Sequence, residues 1–458
     1  MQNRDNKLKN RELPRGNTKK TFDKKALHRT LDKAIKDFMS NKVASCFASM
    51  NQLELAKIPA YDRGNVQKVS LLLLIGTLFD LTTLREILTV YGIKSNQYGK
   101  IWQKLSHKQV YDIFVLGSRQ HFKEEFSKLL KQSGSSQSRA EITIVGDDSV
   151  FKQWLTGSEN AASSEFYGKF FSGQYKTTVY GFCVSVIGVV LQGTFYPLSF
   201  SLVGKSVKPP PQTDVEKGIG TKEKNRKKSL IQLEKGIKEV FGFLTDLSEA
   251  LGVELPQLYI SIDSGFNDKI LLDFCESLGL IAISVVKMNE IVVYKGNTMN
   301  FAELRDMIFL RAERKFYRDK SNKNEPFSLR LSLFYKKLNR MVTILIFRFN
   351  GSGKITIIFC YDGVIKAKTM RRRFFQRTQI EQFFRMVKHT LKISQSKSDG
   401  THSFIKKIAV FFLKAIFAFT FRDYCRKHFR RFKNDSFYKL RLNILHHFDD
   451  KSILTDLI

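Results

Sequence analysis

Four carboxylates in this chain stand where metal-assisted phosphoryl chemistry could be done. Asp147 and Asp148 follow the β-rich run Glu141 to Val145. Asp263 follows the apolar run Leu258-Tyr259-Ile260-Ser261-Ile262 and opens Asp263-Ser264-Gly265-Phe266. Glu381 lies in a helix-patterned stretch, Arg373 to Lys388, beside Arg377, Arg385 and Lys388. Mg²⁺ takes a few carboxylates and keeps positions for water and phosphate. Two such ions can hold the attacking and the leaving oxygen of an in-line displacement. Neutral ligands would not hold two adjacent divalent cations, so the chemistry calls for carboxylates. Each residue also has an ordinary structural use. An Asp before Ser-Gly forms turns, Asp147-Asp148-Ser149 could cap a helix, and Glu381 could neutralise Arg377 and Arg385.

The elements that must position these groups read as a mixed α/β unit. Ile380, Phe383, Phe384 and Val387 fall at i, i+3, i+4 and i+7, one apolar helix stripe. Lys176 to Val190 and Gly193 to Val203 read as strands of an antiparallel meander with the first. Residues 205–228 hold Pro209 to Pro211 and many charges, an insertion, and a helix follows from Ser229 to Leu251. Leu258 to Ile262 is a buried strand, Asn267 to Leu278 a helix and Leu280 to Val286 a strand. In such units ligands collect at the carboxyl ends of strands. Neighbouring strands ending at Asp147 and Asp263 therefore bring their carboxylates together, and a helix packed across that end supplies Glu381.

The rest of the chain divides by composition. Residues 1–25 form a basic arm with few apolar side chains. Residues 26–131 alternate helical patterns with breaks: Leu27, Leu31, Ile35 and Phe38 keep helical spacing, and Val69 to Leu81 reads as a buried helix. Ser106-His107-Lys108-Gln109 opens a further helix, so Leu84 to Phe114 suits a helix-turn-helix DNA reader or a small bundle. The Ser/Gly/Gln-rich linker Gln132 to Ser138 precedes the first part of the core, residues 140–289. Residues 290–365 carry the β runs Leu329 to Tyr335, Met341 to Phe349 and Lys354 to Cys360, a β-rich insertion. Residues 366–393 hold the Glu381 helix, and 394–458 are a basic helical region.

The chain has 458 residues, 43% of them hydrophobic, and a formal net charge of +34. That length and hydrophobic content suit a globular chain of two or three domains. The excess of cations points to a polyanion, most often nucleic acid. Five cysteines, none within four residues of another, exclude a zinc-knuckle spacing and suit free thiols in a reducing compartment. Val69 to Phe79 is too short to span a bilayer, and Phe404 to Phe421 is interrupted by Lys406, Lys407 and Lys414. No membrane partner is expected, and the N-terminus lacks the apolar run of a secretory signal.

The stretch Phe374-x2-Arg377-x3-Glu381-x6-Lys388 resembles the Tyr-x2-Arg-x3-Glu-x6-Lys signature of a group of bacterial insertion-sequence DDE transposases, with Phe in place of Tyr. Ile262 to Phe266 resembles that family's second-Asp motif, and Val145 to Ser149, with Lys152 following, resembles the first. The resemblance covers about residues 140 to 425 and includes the β-rich insertion. It implies a ribonuclease-H-like core preceded by a helical DNA-binding domain. It implies that Asp147, or alternatively Asp148, joins Asp263 and Glu381 in holding two Mg²⁺ ions, which Mn²⁺ can replace. It further implies that Phe374, Arg377 and Lys388, with Arg373 and Arg385, contact DNA. The implied partners are the element's terminal inverted repeats and target DNA, engaged by a dimer in the bacterial cytoplasm. The implied activity is hydrolysis at the element end followed by strand transfer. A nuclease on the same fold, a catalytically silent DNA-binding derivative and a generic RNA- or ribosome-associated basic protein are the rival readings.

Overall fold

The computed structural model describes residues 24–40, 74, 76–78, 105–133, 142–155, 164–172, 176–204, 221–312, 327–348, 355–361, 365–395 and 398–447. Residues 1–23 of the basic arm and most of the Leu84 to Phe114 helix-turn-helix stretch lie outside them, as does most of Val69 to Leu81.

Among the described residues the chain builds a mixed sheet of eleven strands with helices on both faces. In order they are β1 (Ile142–Lys152), β2 (Tyr167–Ser172), β3 (Thr177–Leu191), β4 (Thr194–Leu202), β5 (Tyr259–Ile262), β6 (Ile281–Val285), β7 (Ile291–Tyr294), β8 (Asn297–Asn300), β9 (Phe327–Tyr335), β10 (Arg340–Arg348) and β11 (Ile355–Cys360). The described helices are α1 (Lys24–Ser40), α2 (His107–Ser133), α3 (Thr221–Leu251), α4 (Lys269–Ser277), α5 (Phe301–Ala312), α6 (Ala367–Gln376), α7 (Thr378–Arg385), α8 (Thr401–His428) and α9 (Phe437–His447). Across the sheet the order runs β2-β3-β1-β5-β6-β11-β10-β9-β7-β8, with β4 also on β3. β1 is antiparallel to β3 and parallel to β5, and β5 is parallel to β6. A parallel return requires a crossover, and the path from β1 to β5 includes β3, β4 and α3.

The β-rich insertion does not form a sheet of its own. β11 pairs antiparallel with β6, Ile358 opposite Val285, so the insertion strands lengthen the core sheet. The short strands β7 and β8 have only four residues each and too little periodicity to be read from sequence. They close a hairpin at Lys295-Gly296, both with positive φ (50° and 81°), the conformation a two-residue hairpin turn requires.

Two apolar layers sandwich the sheet. On one face Val145, Phe151 and Phe182 pack with Ile380, Phe383, Phe404 and Phe412. On the other, Ile144, Ile187 and Ile260 pack with Leu233 and Ile237 of α3 and Leu272 of α4. The described N-terminal helices join these layers: α1 and the start of α2 pack in the first, and Phe122, Phe126 and Leu129 of α2 pack in the second. Phe38 of α1 meets Phe417 and Phe421 of α8 with ring centroids 5.4 and 5.1 Å apart. Full burial of each such side chain contributes about 2–3 kcal/mol. α2 starts as its sequence reads: the Gln109 N–H donates to Ser106 Oγ and the Ser106 N–H to Gln109 Oε1, a capping box. The apolar run of α8 is likewise a core helix, and no helix among the described residues is long and apolar enough to cross a membrane. The four described cysteines, Cys183, Cys275, Cys360 and Cys425, are free and buried.

Candidate acidic site

β1 and β5 pair in register from Thr143 opposite Tyr259 to Val145 opposite Ser261. Continuing that register brings Asp147 level with Asp263. β5 stops at Ile262, whereas β1 runs on against β3 as far as Lys152. The expectation that the first strand ends at Asp147 and Asp148 is therefore corrected: both are inside β1, which continues to Lys152. What ends there is the neighbour, so Asp147 lies beside the carboxyl end of β5.

Successive strand residues point to opposite faces, and this separates the two aspartates. Asp147 shares the face of Val145 and Phe151, toward α6 and α7. Asp148 faces α3, where the Ser229 and Ser185 hydroxyls oppose the upward shift that burial imposes on its carboxyl. Asp148 is in a strand, so the helix-cap use does not arise. Asp263 does precede a short 3-10 turn, Ser264–Phe266, but its side chain makes no capping bond. The next helix is capped by Asp268 instead, whose Oδ1 accepts from the Ile270 N–H.

Glu381 arrives on a helix that is not one piece. The sequence reads as a single helix from Arg373 to Lys388, whereas α6 ends at Gln376, a turn centres on Arg377, and α7 runs to Arg385. A π-turn then spans Met386–Thr390. The apolar stripe is buried as its spacing dictates, with Phe383 against Phe195 and Phe412 at 5.3 and 4.9 Å, and Phe384 against Phe151 at 6.2 Å. A polar clamp fixes the preceding turn. Arg373 Nη1 donates to Thr143 Oγ1 at 3.2 Å, and its guanidinium lies 4.5 Å over the Tyr259 ring. The Thr143 hydroxyl also donates to Gln376 Oε1. Thr143 and Tyr259 are register partners, and Asp147 and Asp263 each lie four residues farther along the chain, Asp263 just past the end of β5. Two arginines one helical turn apart thus engage two rows of one strand pair.

Arg377 gathers the acidic groups. Its Nη1 is 3.5 Å from Asp147 Oδ2, and its Nη2 is 3.9 Å from Asp263 Oδ1 and 2.5 Å from Glu381 Oε1. Because the last two share one nitrogen, those carboxylate oxygens lie at most about 6.4 Å apart, the sum of 3.9 and 2.5 Å. Asp147 is the most enclosed, its side chain 20% exposed against 42% for Asp263 and 47% for Glu381. Burial pushes the Asp147 carboxyl up to about 7; Arg377 opposes the shift, and Asp148 and Asp263 add to it.

The cations expected on DNA fall into distinct places. Arg385 is exposed, as are Lys368 and Arg372, two residues that the motif does not single out but that flank the site on α6. Arg373 is corrected: it is 5% exposed and turned into the sheet, so its charge serves the clamp. Arg377 is turned to the carboxylates. Lys388 lies 5.0 Å over the Phe151 ring, and burial pulls its ammonium down to about 8 against the opposing influence of Cys183 and Asp147. Phe374 packs edge-on to Phe375 at 5.5 Å and lies against the core under β10 and β11.

The donor set suits a hard divalent cation in kind: three carboxylates from β1, the end of β5 and α7, two of them partly open to solvent. As placed, they converge on a guanidinium, and among the described residues no group of three or more His, Cys, Asp or Glu side chains is disposed to hold a metal ion. The sequence matches no protein-family model and no curated protein.

Proposed function

We propose that the chain is a DDE transposase that cleaves DNA at insertion-sequence ends and transfers the freed strand. The observation that carries this reading is the convergence of Asp147, Asp263 and Glu381 on one guanidinium. The three come from positions 116 and 118 residues apart in sequence, and chance surface pairing does not require a register match between two strand rows and a helix. The block β4-β3-β1-β5-β6 is read as the ribonuclease-H-like part of the sheet, with the acidic site at the carboxyl end of β5, where such sheets take ligands.

Two Mg²⁺ ions held by Asp147, Asp263 and Glu381 would activate the attacking oxygen and stabilise the leaving one. The chain's own residues set the stage for this. The Arg373 clamp holds α6 and α7 over the strand pair. Lys368 and Arg385 offer exposed charge to a phosphate backbone. The partners in this reading are the element's terminal repeats and target DNA, bound by a dimer.

The test is Mg²⁺-dependent cleavage of DNA carrying the element's own ends, with Glu381→Ala as control. Nicking by the wild-type chain that the variant lacks supports the reading. Equal inertness of both on the correct ends sinks it. One observation favours a second reading, a catalytically silent DNA-binding derivative: Arg377 already compensates the acidic charge. That reading expects binding to the same ends without cleavage.

A further inference from the structure

Arg377 has two possible partners of opposite charge logic, the three carboxylates it touches and the DNA phosphates its motif implies. It cannot serve both at once, because its side chain is 15% exposed and its two terminal nitrogens are committed to Asp147, Asp263 and Glu381. A divalent cation coordinated at about 2.1 Å would draw on the same three carboxylates. A guanidinium already paired with them satisfies part of their charge and repels an incoming cation, so the two compete for the site.

We propose that Arg377 is a charge-swapping gate: its guanidinium competes directly with divalent cations for the Asp147, Asp263 and Glu381 carboxylates, and cation binding releases it toward the nucleic-acid backbone. The inference rests on the metal-site reading above and adds a regulation to it. Cation and DNA binding become coupled through one side chain, and such coupling is reciprocal.

Removing Arg377 has two opposed consequences. It deletes the competitor, which favours the cation, and it deletes a bridge between the carboxylates, which could let them separate. The fold decides which wins. Asp147 sits within a strand paired to β3, Asp263 directly follows strand β5, and Glu381 is on a helix anchored by Ile380, Phe383, Phe384 and Val387. The Arg373 clamp holds α6, which leads directly into that helix, to Thr143 and Tyr259 without help from Arg377. The carboxylates are placed by the backbone, so loss of the competitor dominates.

The experiment is Mn²⁺ binding to the full chain without DNA, followed by electron paramagnetic resonance of the free ion. Wild type is compared with Arg377→Gln, Arg377→Lys and Glu381→Gln, and with Arg377→Gln carrying Glu381→Gln as well. Arg377→Gln is expected to bind Mn²⁺ roughly tenfold tighter, within the range usual for coupled sites. Arg377→Lys, a point charge able to reach fewer carboxylates, falls between and serves if the Gln variant does not fold. Glu381→Gln weakens binding in either background. Equal or weaker binding by both Arg377 variants, with the Glu381 dependence intact, overturns the gate and leaves the metal site standing. Absence of any Glu381-dependent binding in wild type and Arg377→Gln removes the metal-site reading and the gate with it.

Discussion

Asp147 and Asp148 are adjacent in sequence and belong to different structures. The Asp147 face of β1 is polar at its centre, crossed by Arg373 and Arg377, and opens to solvent where β5 ends. The Asp148 face is closed by α3, which approaches so tightly that a Cβ on Gly146 would lie 2.5 Å from Leu233 Cδ1, and one on Gly236 would lie 2.3 Å from Ile187 Cδ1. Both faces carry an apolar layer, but the first adds directional charge and hydrogen bonds at its centre, whereas the second closes over Asp148 with tight apolar packing. A carboxylate on the first can meet a ligand. On the second it can meet only the protein.

The sharpest way to break this contrast is to neutralise each aspartate in turn. In the transposase reading, Asp147→Asn is expected to lower Mg²⁺-dependent cleavage of the element's ends by roughly a thousand-fold, because a neutral amide is a poor ligand for a hard divalent ion. Asp148→Asn keeps the shape of a side chain that faces Ser185 and Ser229, and is expected to stay within about tenfold of wild type. Gel assays of cleavage rate decide the matter, and a reversed order would move the site to the α3 face.

The two faces were also unequally legible in the sequence. The Ile380, Phe383, Phe384 and Val387 stripe follows directly from helical spacing, and the strand-plus-Asp pattern at Asp263 from the apolar run Leu258 to Ile262. The assignment of Asp147 over Asp148 depends on period-two alternation, which is readable only once the strand is known to continue through Lys152. The apolar run ends at Val145, so composition alone stops the strand too early; pairing with β3 carries it on. Arg373 was misread for a related reason. On sequence it is one cation in a basic cluster, and nothing local distinguishes it from exposed Arg372. Its burial comes from Thr143 and Tyr259, which lie 230 and 114 residues away.

Stability measurements test how each face is held. Arg373→Leu removes a hydrogen bond to Thr143 and a cation–π contact with Tyr259, and is expected to cost about 2–3 kcal/mol. Gly236→Ala presses a methyl onto Ile187 and is expected to cost about 1–3 kcal/mol, with α3 shifting outward. Denaturant melts report both. In the transposase reading only Arg373→Leu should also slow cleavage, since only it loosens α6, which leads into the Glu381 helix; equal slowing by both would erase the division between a positioning clamp and a packing layer.

The Asp147 carboxyl gives the faces a pH signature. Its folded-state value, about 7, lies above the ordinary 3.8. Between those values the folded chain keeps a proton that the unfolded chain has lost, so this group lowers stability as pH rises from about 4 to about 7. Asp147→Asn lacks that loss. Its stability relative to wild type is therefore expected to improve across the window by about 2–3 kcal/mol, discounted for partial exposure and for the Arg377 partner that it also gives up. Melting temperatures of the two proteins at pH 4.5 and 7.5 measure the change in the gap, and a constant gap would contradict it.

The smallest expected effect lies at the rim of the open face. Arg385 is exposed on α7, one turn beyond Glu381, and its removal leaves the apolar stripe beneath untouched. Arg385→Ala should leave the melting temperature unchanged. If the residue meets a phosphate, the variant releases about one counterion fewer on binding duplex DNA, and the slope of log affinity against log salt falls by about 0.9. Binding at physiological salt weakens only a few-fold, so the slope is the more decisive observable. Arg373→Leu provides the contrast within the same motif: its guanidinium is inside the protein, so the slope should stay at the wild-type value while stability drops. A slope change for Arg373 and none for Arg385 would mean that α6 turns over when DNA binds, and that the clamp seen here is only one of two positions of this helix.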